Sequence, residues 1–366
     1  MKEKVKKILK KFLMNFCFLI LEVYSFLRKG QLKDFEKLNL KIGILFLKPL
    51  GFGDLIMLSP AIEAFFKIFP NSEIFLITSL PKVINFEKIK YLSKDQAKEK
   101  KFDLIISPTL NLRHFPFVFK ASFWLGYFSK PKIQSNFVKE SKSYDGRKEH
   151  YLLRAIKLIE VLDKNLAEKF LEEIKKKTLK YPEIILKKPA FFEEIEKPYL
   201  ALAPFSFWEE RQWPLSYFRE VIKEILKKKL VKKIVILGGK SSWEEKKLKE
   251  LLKGIESASI INLVGKTNWS ETAFIIKNAK IYLGVDSGPS HLAYLLAKKV
   301  FVIFVSVNPK TIIPFIQQEG IFYFFPKACS NFPCYDGIFR PDFKKCQKCA
   351  QTISPKEVLQ KIFSST

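Results

Sequence analysis

From residue 41 onward the chain alternates between short apolar runs and longer amphipathic stretches. Lys41–Lys48 (KIGILFLK) reads as a buried strand, followed by a glycine turn and an amphipathic helix from about Asp54 to Phe69. Glu73–Thr78 and Phe102–Ser107 are further strands. The region 110–150 is irregular and aromatic, and 151–177 reads as helix with many charges. Pro182, Pro189 and Pro198 punctuate 180–198, where a domain boundary is expected. The rhythm then repeats. Tyr199–Ala203 is a strand, and Pro214 opens a helix with apolar residues at 218, 221, 222, 225 and 226. Lys233–Leu237 ends at Gly238-Gly239 and leads into a charged helix near 243–253. Ile260–Leu263, a helix over 270–278, Ile281–Gly284, a helix over 289–298 and Val300–Val305 complete the series. Strands alternating with helices predict parallel sheets covered on both faces. Two such sheets in tandem predict a ligand cleft between domains, at the carboxyl ends of the strands.

The first forty residues follow a different pattern. Residues 1–30 carry eight basic side chains (Lys2, Lys4, Lys6, Lys7, Lys10, Lys11, Arg28 and Lys29) around an apolar stretch from Phe12 to Leu27. That stretch holds Asn15 and Glu22 and falls short of the ~20 apolar residues of a spanning helix. No small-residue cleavage site follows it, which argues against a signal peptide. On a helical projection Lys4, Lys7, Lys11, Asn15, Glu22, Ser25 and Lys29 share one stripe, interrupted by Phe18. A basic stripe on an apolar helix predicts an interfacial anchor on an anionic membrane; packing on the protein's own surface is the alternative.

Composition narrows the partners without choosing one. Lys and Arg number 65 against 37 Asp and Glu, a formal net charge of +28 that calls for a polyanion: nucleic acid, anionic membrane or phosphorylated substrate. No RNP, helix-turn-helix or zinc-finger pattern is present, so nucleic acid is not the expected partner. Four of the five cysteines crowd into the last forty residues, unlike a secreted disulfide scaffold, and point to a reducing, cytoplasmic setting. Cys329, Cys334, Cys346 and Cys349 have a spacing compatible with a structural zinc; reduced free thiols and, after them, disulfides are the alternatives.

Four segments could carry chemistry. In Gly284–Ala293 (GVDSGPSHLA) a strand ends, a small-residue turn follows, and Pro289 stands where a helix should begin. Backbone N–H groups at such a helix start form an anion site, with Asp286 and His291 nearby. Helix capping by Asp286 or Ser287 would account for the same residues. Pro49-Leu50-Gly51-Phe52-Gly53-Asp54 is a glycine turn with a carboxylate at a helix start, but it lacks the third glycine of a dinucleotide fingerprint. Capping competes here too. The loop 203–214 (APFSFWEERQWP) gathers hydroxyl, guanidinium and aromatic groups suited to a phosphate-bearing ligand. Gly238-Gly239 is followed by Glu244 and Glu245, whose alternative is a solvated helix face.

Taken in order, GFGD, SFWEERQWP, ILGG with its downstream glutamates, INLVGKT and DSGPSHLA resemble glycosyltransferase family 9, the bacterial lipopolysaccharide heptosyltransferases, from about residue 41 to 366. The resemblance implies an α/β GT-B fold: two Rossmann-like, doubly wound parallel-sheet domains facing a cleft, here preceded by the amphipathic helix. The domains it implies are an acceptor domain 41–190, a nucleotide-sugar domain 198–353, and a last helix within 354–366 crossing back to the first domain; the membrane-associating segment 1–40 lies outside the resemblance. It implies inverting transfer of heptose from ADP-L-glycero-D-manno-heptose to the inner core of lipopolysaccharide, at lipid A–Kdo or its heptose extension, with no metal needed for catalysis. A different nucleotide sugar or surface-glycan acceptor is the alternative, and a non-catalytic scaffold is disfavoured by retention of Asp54 and the DSGP segment. Asp54 would be the general base, with Gly51 and Gly53 on the acceptor side. Ser206 and Arg211 would meet the donor phosphates, where relatives often have Lys in place of Arg. Glu244 (or the adjacent Glu245) would hold ribose hydroxyls. Asp286, Ser287, Gly288 and His291 would line the donor site. Pro49-Leu50-Gly51 departs from the family, which often has serines there. The implied setting is the inner face of the cytoplasmic membrane, held peripherally beside a lipid-linked acceptor.

Overall fold

The computed structural model describes residues 39–47, 50–108, 117, 121, 123–126, 148–316, 319–327, 329, 332–334 and 348–366. The expected N-terminal amphipathic helix, Cys346 and most of the stretch 110–147 lie outside the described residues.

In the first half, β1 (Lys41–Phe46) is buried along nearly its whole length, as a central parallel strand covered on both faces must be. It pairs with β2 (Glu73–Thr78) on one side and β5 (Leu104–Ser107) on the other. With β4 (Ile89–Leu92) and β6 (Phe123–Gly126) at the edges, the sheet is parallel in the order β4-β2-β1-β5-β6. β3 (Ile84–Asn85) and β7 (Glu183–Ile184) form a short antiparallel ribbon that holds the proline-rich connector against this half.

Helix α1 (Phe52–Ile68) follows β1 and is buried on almost every side. Pro60 has no N–H to offer the Ile56 carbonyl one turn back; the Ser59 hydroxyl donates to it instead, at 2.8 Å. A short helix α2 (Lys94–Lys98) follows β4. The single helical stretch expected over 151–177 is two helices, α3 (Tyr151–Leu162) and α4 (Lys164–Lys176). Asp163 leaves helical geometry and caps the second, accepting from Leu166 N–H at 2.9 Å.

The second half runs β8 (Tyr199–Ala203), α5 (Leu215–Lys227), β9 (Lys233–Ile236), α6 (Ser242–Leu251), β10 (Ile260–Asn262), α7 (Trp269–Asn278), β11 (Ile281–Val285), α8 (Gly288–Leu296), β12 (Val300–Ile303) and β13 (Ile321–Phe324). Its six parallel strands lie in the order β10-β9-β8-β11-β12-β13. That order reverses between β8 and β11, as a doubly wound Rossmann sheet does between its first and fourth strands.

One face of this sheet, with α7 and α8, belongs to an apolar core continuous with that of the first half. The other face is covered by α5, α6 and the final helix α9 (Pro355–Ser365). The expectation that this last helix crosses back to the first half is not what the chain does. α9 packs on α5, where Val358, Leu359 and Ile362 join the second core. Burial of such side chains is worth about 1.5–3 kcal/mol each, which decides where the helix settles. Among the described residues no helix is long and apolar enough to cross a membrane.

Candidate active site at the two switch points

In an open α/β sheet, ligands bind at the carboxyl ends of the strands where strand order reverses. In the first half that point lies between β1 and β5, and the turn leaving β1 carries Gly51, Phe52, Gly53 and Asp54. In the second half it lies between β8 and β11, whose following loops carry Ser206, Arg211, Asp286 and Ser287.

Asp54 is the third residue of α1. The Gly51 N–H donates to its Oδ2 at 2.7 Å, so the carboxylate does close the helix start. It is also enclosed. Burial pushes its pKa up to about 6, partly opposed by the Gly51 N–H and the Arg211 charge, while Asp286 adds to the rise. Asp54, Arg211 and Asp286 therefore share one electrostatic neighbourhood although they come from different halves.

Arg211 ends a 3₁₀ turn (Glu209–Arg211) and places Nη1 2.8 Å from Asp286 Oδ2. The pair is nearly dry, with side-chain exposures of 18% and 2%. Its loop is held at both ends. The Ser206 hydroxyl accepts from Trp208 N–H at 3.3 Å, and the Gln212 side chain donates to the Ser206 carbonyl. Trp213 is fully buried and donates its indole N–H to the Ile353 carbonyl at 3.0 Å.

The start of α8 settles the capping alternative for Ser287. Ser287 occupies the N-cap position without capping: its hydroxyl turns back to the Val285 carbonyl at 3.2 Å. Asp286 is committed to Arg211. No side chain caps the first turn, which begins at Gly288 with Pro289 next, and its N–H groups suit an anion. His291, in that turn, lies 4.0 Å from Asp286 Oδ1. Burial pushes its pKa down to about 4, so the ring is neutral at pH 7 and, among the described residues, it is Arg211 that pairs with Asp286. Asp286 Oδ1, His291 Nδ1 and Tyr294 Oη are buried without a hydrogen-bond partner among the described residues. Buried polar atoms left this way are costly, and a polar ligand would satisfy them.

Glu244 is the third residue of α6, the helix that follows the carboxyl end of β9. Its side chain is half buried beside Gly239, whereas Glu245 is exposed. Burial raises its pKa, against a hydrogen bond from the Gly239 backbone.

The two switch points touch. Phe52 stacks on Trp269 with ring centroids 4.0 Å apart, and Trp269 in turn covers Gly288, where a β-carbon would lie 2.5 Å from the indole. Gly53 abuts His291. Trp269, Tyr294 and His150 are site neighbours that sequence reasoning missed; a single aromatic after a capping Asn268 carries no local signal of a contact with a distant helix.

Cys329, Cys334 and Cys349 lie near one another. The thiols of Cys329 and Cys349 are hydrogen-bonded, with Cys334 close by, and burial with these neighbours pushes the Cys349 pKa up to about 12. Among the described residues no group of three or more His, Cys, Asp or Glu side chains is arranged to hold a metal ion. The four-cysteine expectation also needs Cys346, which lies outside them.

Solved structures with the same fold include a family 9 glycosyltransferase from Veillonella parvula (15% identity, TM-score 0.61, covering 91% of this chain and 98% of that one). The Escherichia coli ADP-heptose lps heptosyltransferase II is similar (15% identity, TM-score 0.65, 88% and 98%). So is the E. coli heptosyltransferase WaaC solved with ADP (14% identity, TM-score 0.57, 89% and 100%). These likenesses make the two-sheet architecture a GT-B fold. A search of curated proteins gives no match. The model of glycosyltransferase family 9 (heptosyltransferase) matches residues 94–332, well over half of the chain. With its two parallel sheets, facing switch points and this match, the chain is a glycosyltransferase and belongs to family 9.

Proposed function

We propose that this enzyme transfers a heptosyl group from ADP-L-glycero-D-manno-heptose to the inner core of lipopolysaccharide, with inversion at the anomeric carbon. The observation that carries the reading is the meeting of Asp54 with the Arg211–Asp286 pair at the junction of the two switch points. The diphosphate of the donor would lie at the uncapped start of α8 beside Arg211, two sources of positive potential for a departing anion. Asp286 and His291 would take sugar or ribose hydroxyls, and Glu244 the ribose. In the transfer, an acceptor hydroxyl attacks the anomeric carbon and the carbon–oxygen bond to the diphosphate breaks. The electron pair leaves with the nucleotide, and the hydroxyl proton passes to Asp54. A base of pKa about 6 is mostly ionised at pH 7 yet strong enough to accept a proton as the oxygen becomes more acidic in the transition state.

The resemblance to family 9 points to an ADP-heptose donor, and a neighbouring structure, E. coli WaaC with ADP-2-deoxy-2-fluoro heptose, supports it. A lipid-linked acceptor suits the basic amphipathic segment 1–30, which would hold the enzyme peripherally at the cytoplasmic membrane. The test is a panel of ADP-, UDP- and GDP-sugars in thermal shift and turnover with a Kdo-lipid A acceptor. ADP-heptose is expected to raise Tm most, since a ligand at 100 times its Kd adds about 2.7 kcal/mol to the folded state. A larger shift and faster turnover with another nucleotide sugar would replace the donor assignment.

A further inference from the structure

Beyond β12, residues 308–316 leave the second half and grip the first. Asn308 opens the segment by capping a 3₁₀ turn at Pro309–Thr311, with Thr311 buried. Ile312, Ile313 and Phe315 then pack on the apolar core that both halves share. Three contacts fasten this strap to the helical connector of the first half. His150 Nε2 lies 3.0 Å from the Ile313 carbonyl, the Phe315 N–H meets the Tyr181 hydroxyl at 3.4 Å, and Thr178 bridges Ile316. The Phe315 ring also lies on the His150 imidazole, centroids 4.0 Å apart.

The chemistry of His150 is fixed by its surroundings. It is the N-cap of α3, and its Nδ1 accepts from the Leu152 N–H at 3.1 Å. The proton of the neutral ring is therefore on Nε2, the nitrogen that donates to Ile313. Burial and the nearby His291 ring push its pKa down to about 4, so this tautomer persists at neutral pH. One side chain thus starts a helix in the acceptor half and holds a segment of the donor half, close to the histidine that touches Gly53.

We infer that His150 is a positioning residue for sugar transfer: through the 308–316 strap it sets how the turn bearing Asp54 faces the donor site. The inference rests on the cleft being the place of transfer. A residue that only capped α3 would matter for stability and nothing else.

His150→Asn separates the two roles, because asparagine caps a helix well but its amide is too short to reach Ile313. With the full chain, the expected result is a Tm close to wild type, donor Kd within threefold, and kcat at least tenfold lower. Hydrogen exchange at the amides of Ile312, Ile313, Phe315 and Ile316 is expected to quicken at least tenfold while that of α3 stays protected. Tyr181→Phe, which removes a second fastening and no cap, is expected to shift exchange and kcat the same way by a smaller factor. Wild-type exchange in the strap of His150→Asn, or wild-type kcat with a loosened strap, overturns the inference. Lack of transfer by the unaltered enzyme with every donor would instead count against the functional reading, and the exchange result would still decide whether His150 holds the strap.

Discussion

Gly53 and His291 meet across the junction of the two halves with no room for a methyl group: a β-carbon on Gly53 would lie 2.7 Å from His291 Nε2 and closer still to the ring carbon beside it. His291 is buried, so the ring has little freedom to retreat. Gly53→Ala is expected to cost about 1–3 kcal/mol of stability, as overpacking does. It should also lower kcat/KM at least tenfold, because the turn it displaces carries Asp54. An alanine variant with unaltered Tm and turnover would show that the halves separate freely at this point.

Asp54 closes its helix and is the proposed base, and pH separates the roles. Its pKa is raised from the ordinary carboxylate value to about 6, so activity should fall as pH drops through about 6. For stability the sign is opposite. The folded state holds the proton more tightly than the unfolded state, so stability falls as pH rises from about 4 to 6, by roughly 2–3 kcal/mol in all. Asp54→Asn removes that cost and keeps a capping side chain. It is expected to lower kcat by 10²–10⁴-fold, with Tm at pH 7 equal or higher. Normal turnover would make Asp54 a structural residue.

Removing either partner of the Arg211–Asp286 pair breaks a nearly dry ion pair. Each single alanine variant should lose about 3–5 kcal/mol of stability, and donor affinity should fall by about 1–3 kcal/mol. Arg211→Lys retains the charge and should recover most of the donor binding; isothermal titration with nucleotide diphosphates reads this directly. Donor affinity unchanged in both alanine variants would remove the pair from the donor site.

The basic segment before residue 40 predicts salt-sensitive membrane binding. A chain starting at Leu40 should fold and bind donor but lose affinity for anionic vesicles in a flotation assay. Each Lys or Arg near such a surface contributes about 1 kcal/mol, so added salt should release the full-length protein. Equal vesicle binding by both would place the membrane contact elsewhere.

Much of this architecture is legible in the residue pattern, for a physical reason. Strands covered on both faces, such as Lys41–Phe46 and Ile281–Val285, must be apolar throughout and stand out from the helices between them. The edge strands β4 and β13 are only partly covered and read as unremarkable short runs. Asp54, Arg211, Glu244 and Asp286 stand on loops and helix starts at strand ends, where motif spacing points. His150 and Trp269 do not, because each acts through a partner far along the chain: Ile313 is 163 positions from His150. The seat of the last helix is not legible in the sequence for a related reason. Its apolar stripe shows that it packs somewhere, and only the fold says that α5 is the surface.

The bond from Trp213 to the Ile353 carbonyl bears on how the end of this chain can be handled. Trp213 is the anchor of the loop that presents Arg211, and its acceptor lies just before the final helix. The tail therefore braces from behind the loop that presents Arg211. Trimming it to before Ile353 strips the indole of its partner and uncovers the core behind it, so a shortened protein should fail first at holding nucleotide.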